Sequence, residues 1–387
     1  MVQENALSRE EYARLLALSA TDPLPDFTAD RITLVVFEAD GLPIGQAWLK
    51  SGERLAVPGD VPDRIEHRRR DRKPDSPTAS TSVVICTRDR PQELHRCLQS
   101  FARQSLPPDE VIVVDNASVT GETRDIAVSA GVTYLREDRA GLDFARNTGA
   151  TAATGEIIIY ADDDTALHPH LVRNTLAAFD DPKVAAVTGL VLPATLATEA
   201  QWLFEDQWSF GRGYDRIDYD TEFYHQTRIH GCPAWIIGAG ANMAFRRSIF
   251  ATIGLFDERL DVGQAGCSGD SEYWYRILAA GYTCRYEPTA VVWHFHREQI
   301  AGLSSQIFHY MRGHTAALMV QYERTGDRGN LRRAFLSMPR YYARCFAGRI
   351  LRGTKPSNRF LGEQVRGAMA GILFYLRAPR PASRNRA

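Results

Sequence analysis

The chain has 387 residues, of which 44% are hydrophobic and 24% charged, and its formal net charge is −1. This is the composition of a globular protein with one large domain and extensions, or two domains, and the near-neutral charge argues against a nucleic-acid-binding protein. No apolar run approaches the roughly 20 residues that a membrane-spanning helix needs.

Basic residues are concentrated near the C-terminus. From Leu331 to Ala387 there are 13 Lys and Arg residues and one acidic residue, which leaves 33 basic and 46 acidic residues in the preceding chain. A basic segment on an acidic body indicates an anionic partner surface.

The six cysteines form no C-x-x-C pair, and the first residues show no basic-then-apolar export pattern. We therefore expect free thiols in a reducing compartment and a cytoplasmic location.

In chain order, residues 1–62 predict a small N-terminal α+β extension. A helical pattern runs from Glu10 to Leu18, and two strand-like runs, Ile32–Phe37 and Ala47–Leu49, flank a turn at Gly41–Pro43. Residues 63–80 are first charged and then rich in Pro, Ser and Thr, which is typical of a linker.

A regular alternation of strands and helices begins at residue 81. Strands are predicted at Ser82–Cys86, Val111–Val114, Val132–Leu135 and Ile157–Tyr160, with helices at Pro91–Phe101, in the stretch ending at Ser129, and at Gly141–Ala153. This spacing is typical of a parallel sheet, whose ligands bind beyond the carboxyl ends of its strands. Three of those ends carry Thr87–Arg88, Asp115–Asn116 and Asp162–Asp164.

The three consecutive carboxylates Asp162, Asp163 and Asp164 are the strongest chemical signal. A divalent cation, which prefers oxygen ligands, best relieves their mutual repulsion after a buried strand. Asp162 and Asp164 share one face of an extended segment, so both can reach one ion. The alternative is a solvated acidic turn before the helix expected near His170.

Other polar residues also allow a structural interpretation. Asp115 either accepts hydrogen bonds from a nucleoside or only builds a turn. Arg146 and Asn147 lie in a predicted helix, where a surface salt bridge is the alternative. Asp270 is predicted to be the N-cap of an apolar helix, a general base that the helix terminus keeps ionised, or both, since the two roles are compatible. His294 follows an apolar run and is either a core histidine or a metal ligand.

Eight motifs occur in the order and spacing of one enzyme family. They are Ser-Val-Val-Ile-Cys-Thr-Arg-Asp-Arg-Pro (82–91), Val-Val-Asp-Asn (113–116), Gly-Leu-Asp-Phe-Ala-Arg-Asn-Thr-Gly (141–149), Tyr-Ala-Asp-Asp-Asp (160–164), Gly-Ala-Gly-Ala-Asn-Met-Ala-Phe-Arg-Arg (238–247), Gly-Leu-Phe-Asp-Glu (254–258), Gly-Asp-Ser-Glu-Tyr (269–273) and Trp-His (293–294). Residues 82–297 thereby resemble glycosyltransferase family 2, whose members are inverting enzymes with the GT-A fold.

The resemblance implies an α/β fold with a Rossmann-like, mostly parallel sheet flanked by helices. The catalytic domain would span residues 81–298, with a nucleotide-binding half at 81–165 and an acceptor half at 166–298. A basic helical C-terminal extension would follow at 299–387.

The resemblance also implies roles for individual residues. The donor-binding residues would be Thr87, Arg88, Asp115, Asn116, Arg146, Asn147, Asp162, Asp163, Gly240, Ala241 and Asn242. The ligands of a Mn²⁺ or Mg²⁺ ion would be Asp162, Asp164 and His294. Asp270 would be the catalytic base. The family motif often places Glu before this Asp, but here the preceding residue is Gly269, so the second acid, Glu272, stays an alternative.

The implied reaction moves a sugar from a nucleotide-sugar donor, expected to be UDP-linked, to a hydroxyl of a saccharide or lipid-linked acceptor, as in cell-envelope polysaccharide or glycolipid synthesis. One alternative is a sugar-1-phosphate nucleotidyltransferase, which would carry a Gly-rich loop where this chain has Thr87–Pro91. Another is a non-catalytic sugar-nucleotide- or carbohydrate-binding protein, against which the complete carboxylate set argues.

Two further segments bear on the acceptor. The segment from Pro193 to Ala234 is expected to be a loop, and together with Trp235 it supplies aromatic residues for stacking on sugars or for core packing. Residues 332–352 and 366–377 mix arginines with apolar side chains, which suits helices lying in an anionic membrane surface. We therefore expect peripheral association with the inner face of a membrane, and the alternative is that these helices pack on the acidic body.

Overall fold

The computed structural model describes residues 11–70, 78–353 and 358–378. The strands are β1 (Arg14–Ser19), β2 (Thr33–Ala39), β3 (Leu42–Leu49), β4 (Thr81–Thr87), β5 (Glu110–Asn116), β6 (Thr133–Glu137), β7 (Ile157–Asp162), β8 (Thr165–Leu167), β9 (Val184–Pro193), β10 (Ile217–Tyr219), β11 (Asn242–Arg246) and β12 (Thr283–His294). The helices are α1 (Val61–Arg70), α2 (Pro91–Phe101), α3 (Glu122–Ser129), α4 (Leu142–Ala152), α5 (Leu171–Ala177), α6 (Glu199–Trp208), α7 (Thr221–Thr227), α8 (Arg247–Ile253), α9 (Gly269–Ala279), α10 (Ile300–Thr325), α11 (Arg328–Arg332), α12 (Met338–Arg352) and α13 (Leu361–Arg377).

The central sheet has the order β10-β12-β9-β11-β7-β4-β5-β6, and β8 pairs with β12. β4 is parallel to both β5 and β7, and β5 is parallel to β6, as the alternating pattern predicts. All seven residues of β4 are buried, because helices cover both faces of a parallel sheet. The register places Thr87 opposite Asp115 and Cys86 opposite Asp162, so three polar strand ends meet at one edge.

The helix expected at Glu10–Leu18 is wrong. Glu10 lies outside the described residues, and Arg14–Ser19 is the strand β1, paired in parallel with β2 in a separate three-stranded sheet with β3. Leu15 packs against the main core, whereas Leu16 and Leu18 pack in the small core of the N-terminal extension. Alternate residues thus face two different cores, as successive side chains of a strand do. Because both sets are apolar, the sequence shows a continuous apolar run without the alternation typical of a strand.

The predicted linker is in part a helix. Residues 63–70 belong to α1, in which Arg64 forms ion pairs with Asp60 and Asp215 at 2.9 and 2.8 Å. Arg68 donates a hydrogen bond to the backbone oxygen of Pro43 at 2.9 Å. The charged run therefore braces the N-terminal extension against the rest of the chain, and residues 71–77 lie outside the described part.

The segment predicted to be an aromatic loop also contains regular structure, namely α6, β10 and α7. A capping box starts α6, because Thr198 accepts from the backbone of Gln201 and Gln201 reciprocates. The Thr-x-x-Gln pattern is a known signal for this arrangement, and the sequence interpretation missed it.

The basic C-terminal region is helical, as expected, and its inner faces pack on the catalytic body. Glycines on α10 and α13 permit this close packing. A Cβ on Gly313 of α10 would collide with the backbone of Cys267, and a Cβ on Gly371 of α13 would collide with the backbone oxygen of Arg312. No helix in the described part of the chain has the length and apolarity to cross a membrane. All six cysteines are free thiols.

Candidate active site

An acidic cluster lies where β7 ends. Asp162 is the last residue of β7, and ligand atoms of Asp162, Asp164 and His294 all lie within 4.8 Å of one another. His294 ends β12 and is positioned opposite Thr165 because β12 pairs with β8. Its Nε2 lies 3.2 Å from Oδ1 of Asp164. The structure thus brings the three predicted metal ligands together from positions 130 residues apart in sequence.

Neighbouring side chains orient this cluster. The Nδ1 atoms of His294 and His296 lie 3.0 Å apart, and Nε2 of His296 lies 3.2 Å from Oε2 of Glu205. A histidine ligand is commonly fixed in this way through its second nitrogen. Two carboxylates and an oriented imidazole are donors that fit Mn²⁺ or Mg²⁺.

Asp163 and Asp164 are held by one arginine that the sequence interpretation missed. Arg90 donates to Oδ1 of Asp163 at 3.1 Å and to Oδ2 of Asp164 at 2.9 Å. Thr87 donates its hydroxyl to the other oxygen of Asp163 at 2.7 Å. Asp163 therefore supports the turn, while Asp162 faces the space beyond the strands.

The crowding of these carboxylates changes their pKa values. Burial and the charge of Asp164 raise the pKa of Asp162 to about 6 and that of Asp163 to about 7. Burial acts in the same direction on Asp164, but His294 and Arg90 outweigh it and lower the pKa of that carboxyl. Like charges held this closely disfavour one another, and a bound cation would remove that cost.

A cavity of about 630 Å³ extends beyond this edge of the sheet. Its walls include five of the predicted site residues, namely Arg146, Asp162, Gly240, Ala241 and Asp270. A Cβ at position 240 would lie 2.8 Å from Nη2 of Arg146 and 3.1 Å from Oδ2 of Asp270. Glycine at this position lets the backbone approach both side chains.

Of the two acids on α9, only Asp270 lines the cavity. Its Oδ1 accepts hydrogen bonds from the backbone N and the hydroxyl of Ser271 at 2.6 and 3.1 Å. Glu272 is fully buried and forms ion pairs with Arg276 at 2.9 Å and Arg324 at 3.4 Å. The geometry therefore assigns Glu272 to the packing of α9.

Two expectations about Asp270 differ from the structure. The N-cap of α9 is Ser268, in a left-handed conformation, and Asp270 lies in the first turn. Burial raises the pKa of Asp270, and the charge of Asp261 adds to this rise while Arg146 opposes it. The helix terminus was expected to favour ionisation, but desolvation outweighs it.

A buried charge cluster explains the missing glutamate of the family motif. Nη1 of Arg146 lies 3.0 Å from Asp143 and 2.6 Å from Asp261. Any side chain at Gly269 would collide with the carboxylate of Asp143. Asp143 therefore occupies the space next to position 269. In the sequence, the glycine at position 269, where the family motif often has glutamate, was the signal that could have indicated this buried carboxylate.

The side chains of three predicted donor-binding asparagines hold protein segments together. Asn116 bonds the backbone of Arg139 and Gly141, and Asn147 bonds both backbone groups of Phe256. Asn242 donates to the backbone oxygens of two neighbouring strands, β9 and β12. These three side chains do not line the cavity.

At the predicted nucleoside end of the site, protein groups hold the side chain of Asp115 in place. Asp115 accepts from the backbone of Ser118, from Tyr134 at 2.8 Å and from Arg136 at 3.0 Å. Burial opposes ionisation, but the hydrogen bonds from Ser118 and Tyr134 lower the pKa of Asp115. Arg88 is half-exposed beside Asp89.

An aromatic wall completes the cavity. Of the aromatic residues between Trp202 and Trp235, three line it: Trp208, Phe210 and Trp235. The others pack in or against the core. The C-terminal helices, which lie outside every motif, also contribute to the wall through residues such as Tyr310, His314, Arg333, Tyr341 and Gln364.

Comparisons with known proteins agree with this architecture. Residues 82–254 match the family described as glycosyl transferase family 2. The fold is similar to that of the mannosyltransferase PcManGT from Pyrobaculum calidifontis, solved with GDP-Man and Mn²⁺, at a TM-score of 0.50 and 18% identity, covering 81% of this chain and 93% of that one. The molecule thus has the GT-A fold.

Two curated relatives give the same class. The chain is 23% identical over 188 residues to a glucosyl-dolichyl phosphate glucuronosyltransferase of Haloferax volcanii, covering 46% of this chain and 55% of that protein. It is 27% identical over 233 residues to a pre-mycofactocin glycosyltransferase of Mycobacterium tuberculosis, covering 59% and 46%. The chain spans about half the length of these relatives.

Proposed function

We propose that this chain is a metal-dependent, inverting glycosyltransferase that moves a sugar from a nucleotide-sugar donor to an acceptor hydroxyl. One observation carries the proposal: Asp162, which lies with Asp164 and His294, and Asp270 line one cavity at the carboxyl ends of the sheet. The family match and the named activities of the relatives support it.

Asp162, Asp164 and His294 would hold the cation. When bound, a divalent cation neutralises the diphosphate of the leaving nucleotide. Arg90 and His296 fix the ligands from behind, so that little reorganisation is needed when the donor binds. That the solved neighbour binds Mn²⁺ supports this assignment.

Asp270 would remove the proton of the acceptor hydroxyl. Ser271 holds one carboxylate oxygen, and the other faces Gly240. The pKa of Asp270 is raised toward neutral pH, and a carboxylate with a higher pKa is a stronger proton acceptor. Attack on the face opposite the leaving nucleotide is a single displacement that inverts the anomeric centre and needs no covalent enzyme nucleophile.

Thr87, Arg88, Asp115 and Asn116 would lie at the nucleoside end, and Arg146, Gly240 and Ala241 at the sugar end. The sequence favours a UDP-linked donor, but the neighbour of the same fold binds GDP-Man. The donor test therefore has to include both bases.

A thermal-shift panel of UDP- and GDP-sugars, with Mn²⁺ and with chelator, tests the proposal, because a ligand that binds the native state raises its stability. We expect a rise in Tm with one donor that disappears with chelator, and slow release of nucleoside diphosphate. Release of pyrophosphate from a nucleoside triphosphate and a sugar phosphate would instead identify a nucleotidyltransferase. Binding without any release, over a panel of saccharide acceptors, would identify a binding protein.

We further propose that the outer faces of α12 and α13 lie on an anionic membrane. Apolar side chains are exposed there, with Ile350 83% and Leu351 80% exposed. Met369, Leu373 and Leu376 form a second exposed stripe at helical spacing. Exposed arginines flank both, namely Arg340, Arg344, Arg349, Arg366 and Arg377. Each basic group near an anionic leaflet contributes roughly 1 kcal/mol.

Flotation with vesicles tests the membrane surface. Full-length protein should float with anionic vesicles, remain unbound with neutral ones and dissociate in high salt. Replacing Ile350 and Leu351 by Ser should weaken flotation. Val119→Ser, at an 87% exposed position of the catalytic domain, is the matched control. Absence of binding to anionic vesicles at low salt would contradict the proposal and leave α12 and α13 as packing elements.

A further inference from the structure

Arg333 is a cation in the wall of the cavity. Within residues 11–70, 78–353 and 358–378 it has no acidic partner, and its guanidinium carbon lies 3.9 Å from the centre of the Trp235 ring. Its Nε donates to Nε2 of His314 at 3.4 Å. Burial lowers the pKa of Arg333 to about 10, and burial together with Arg333 lowers the pKa of His314 to about 3. The arginine is therefore charged and the histidine neutral at physiological pH.

The backbone around Arg333 confines its side chain to the wall of the cavity. Residues Arg333–Ser337 form a π-helical turn between α11 and α12, and such turns are frequent at functional sites. Gly231, with a φ of 82°, packs against this side chain, and a Cβ there would lie 2.9 Å from that of Arg333. The side chain is thus confined between a glycine turn and the indole of Trp235.

A second cation of the same wall also lacks a carboxylate partner among the described residues. Arg212 donates to the backbone oxygens of Ser209 at 2.7 Å, Ile236 at 3.0 Å and Trp235 at 3.2 Å. These bonds join the Phe210 segment to the Trp235 segment and leave the positive charge unbalanced. This end of the cavity, formed by Arg212, Trp235, His314, Arg333 and Tyr341, is called the cationic end below.

The cationic end opens toward an apolar surface. Tyr341 lines the cavity and is nevertheless 56% exposed, and Phe335 and Leu336 on the π-helical turn are 55% and 39% exposed. A ligand held at Arg333 can therefore continue along Tyr341 to the outside, where these side chains would cover an apolar chain.

We propose that the cationic end binds an acceptor that carries a phosphate group attached to an apolar chain. The inference rests on the proposed function and names the acceptor class for the same cavity. A planar guanidinium binds phosphate oxygens through two parallel hydrogen bonds, and the two unbalanced cations match the charge of a phosphate. The hydroxyl to be glycosylated would then lie toward Asp270 in the same cavity.

Calorimetric titration tests this site with three probes: octyl phosphate, inorganic phosphate and octyl glucoside. Each is added to full-length protein after the donor site has been saturated with Mn²⁺ and the nucleoside diphosphate found in the panel. The variants are Arg333→Gln and, as a matched control, Arg332→Gln, whose side chain is exposed on the adjacent position.

We expect octyl phosphate to bind the unchanged protein and the Arg332 variant equally, and to bind Arg333→Gln at least about tenfold more weakly, because a hydrogen bond to a charged group is lost. Octyl glucoside should not bind. Inorganic phosphate should bind at least about tenfold more weakly than octyl phosphate. Equal binding of the two phosphates would overturn the apolar-chain assignment and identify a small soluble phosphate ester instead.

Equal affinity of octyl phosphate for Arg333→Gln and the unchanged protein would overturn the site. So would absence of binding to the unchanged protein. If Arg333→Gln does not fold, as judged by its Tm, Arg333→Lys carries the same comparison, because it keeps the charge and loses the planar pair of donors. Failure of the proposed function is distinguished separately: in that case no nucleotide sugar binds, and the phosphate titration is run without nucleotide.

Discussion

The two ends of the cavity balance charge in opposite ways. At the acidic end, each cation is shared between two carboxylates, as Arg146 is between Asp143 and Asp261. At the cationic end, Arg212 contacts backbone oxygens, and Arg333 contacts a ring and a neutral histidine. The first end therefore has negative charge left for a cation, and the second has positive charge left for an anion. The proposed cation and the proposed phosphate group would therefore bind at opposite ends of one cavity.

The largest effect is expected from removing charge at the acidic end. Asp164→Ala should abolish Mn²⁺-dependent binding of nucleoside diphosphate in calorimetry, because it removes the carboxylate closest to His294. The matched control is Asp26→Ala, an 82% exposed side chain in the N-terminal extension. If Asp164→Ala binds nucleotide as the unchanged protein does, with and without chelator, the metal assignment fails.

A smaller effect separates the two acids of α9. Asp270→Asn should lower turnover at least about 10²-fold and leave donor affinity nearly intact, since general-base catalysis contributes at least that much. Glu272→Gln should instead lower the free energy of unfolding by about 3 kcal/mol, because it removes the buried carboxylate that pairs with Arg276 and, at longer range, with Arg324, which keeps Asp257. Single-turnover kinetics measure the loss of turnover, and chemical denaturation measures the loss of stability. A greater loss of turnover per folded molecule in Glu272→Gln would reverse the roles.

The smallest effect concerns the pH profile. Burial and then Asp261 raise the pKa of Asp270, and a base works only when deprotonated, so activity should rise with pH through this raised pKa. Asp261→Asn removes the second cause and should move the acid limb of kcat/KM to lower pH. Glu258→Gln, outside the cavity, should leave the limb in place. A limb that stays or moves upward in Asp261→Asn would contradict the role of Asp270.

The acidic end was predictable from sequence, and the cationic end was not. Asp162 and Asp164 follow a buried strand directly, so a local pattern places them at the sheet edge, and the motif context adds His294. Arg333 and Tyr341 belong to helices without a motif, and only tertiary packing brings them to the cavity.

Other misses have the same origin. The apolar side chains of Arg14–Ser19 pack in two different cores. The local spacing of apolar residues does not show this, so a helix was predicted there. Asn116, Asn147 and Asn242 were predicted to bind the donor, and in the structure their side chains donate hydrogen bonds to backbone oxygens of the protein. A sequence motif therefore marks these three polar residues without showing whether they contact a ligand or the protein itself.

The steric conflict between a side chain at position 269 and Asp143 constrains how the sequence can evolve at these two positions. A side chain gained at position 269 would collide with Asp143, and loss of the Asp143 carboxylate alone would remove one of the two ion pairs of Arg146. The two positions can therefore be altered together more easily than one at a time. We therefore expect a natural variant that carries an acid at position 269 to have a smaller or differently placed side chain at position 143.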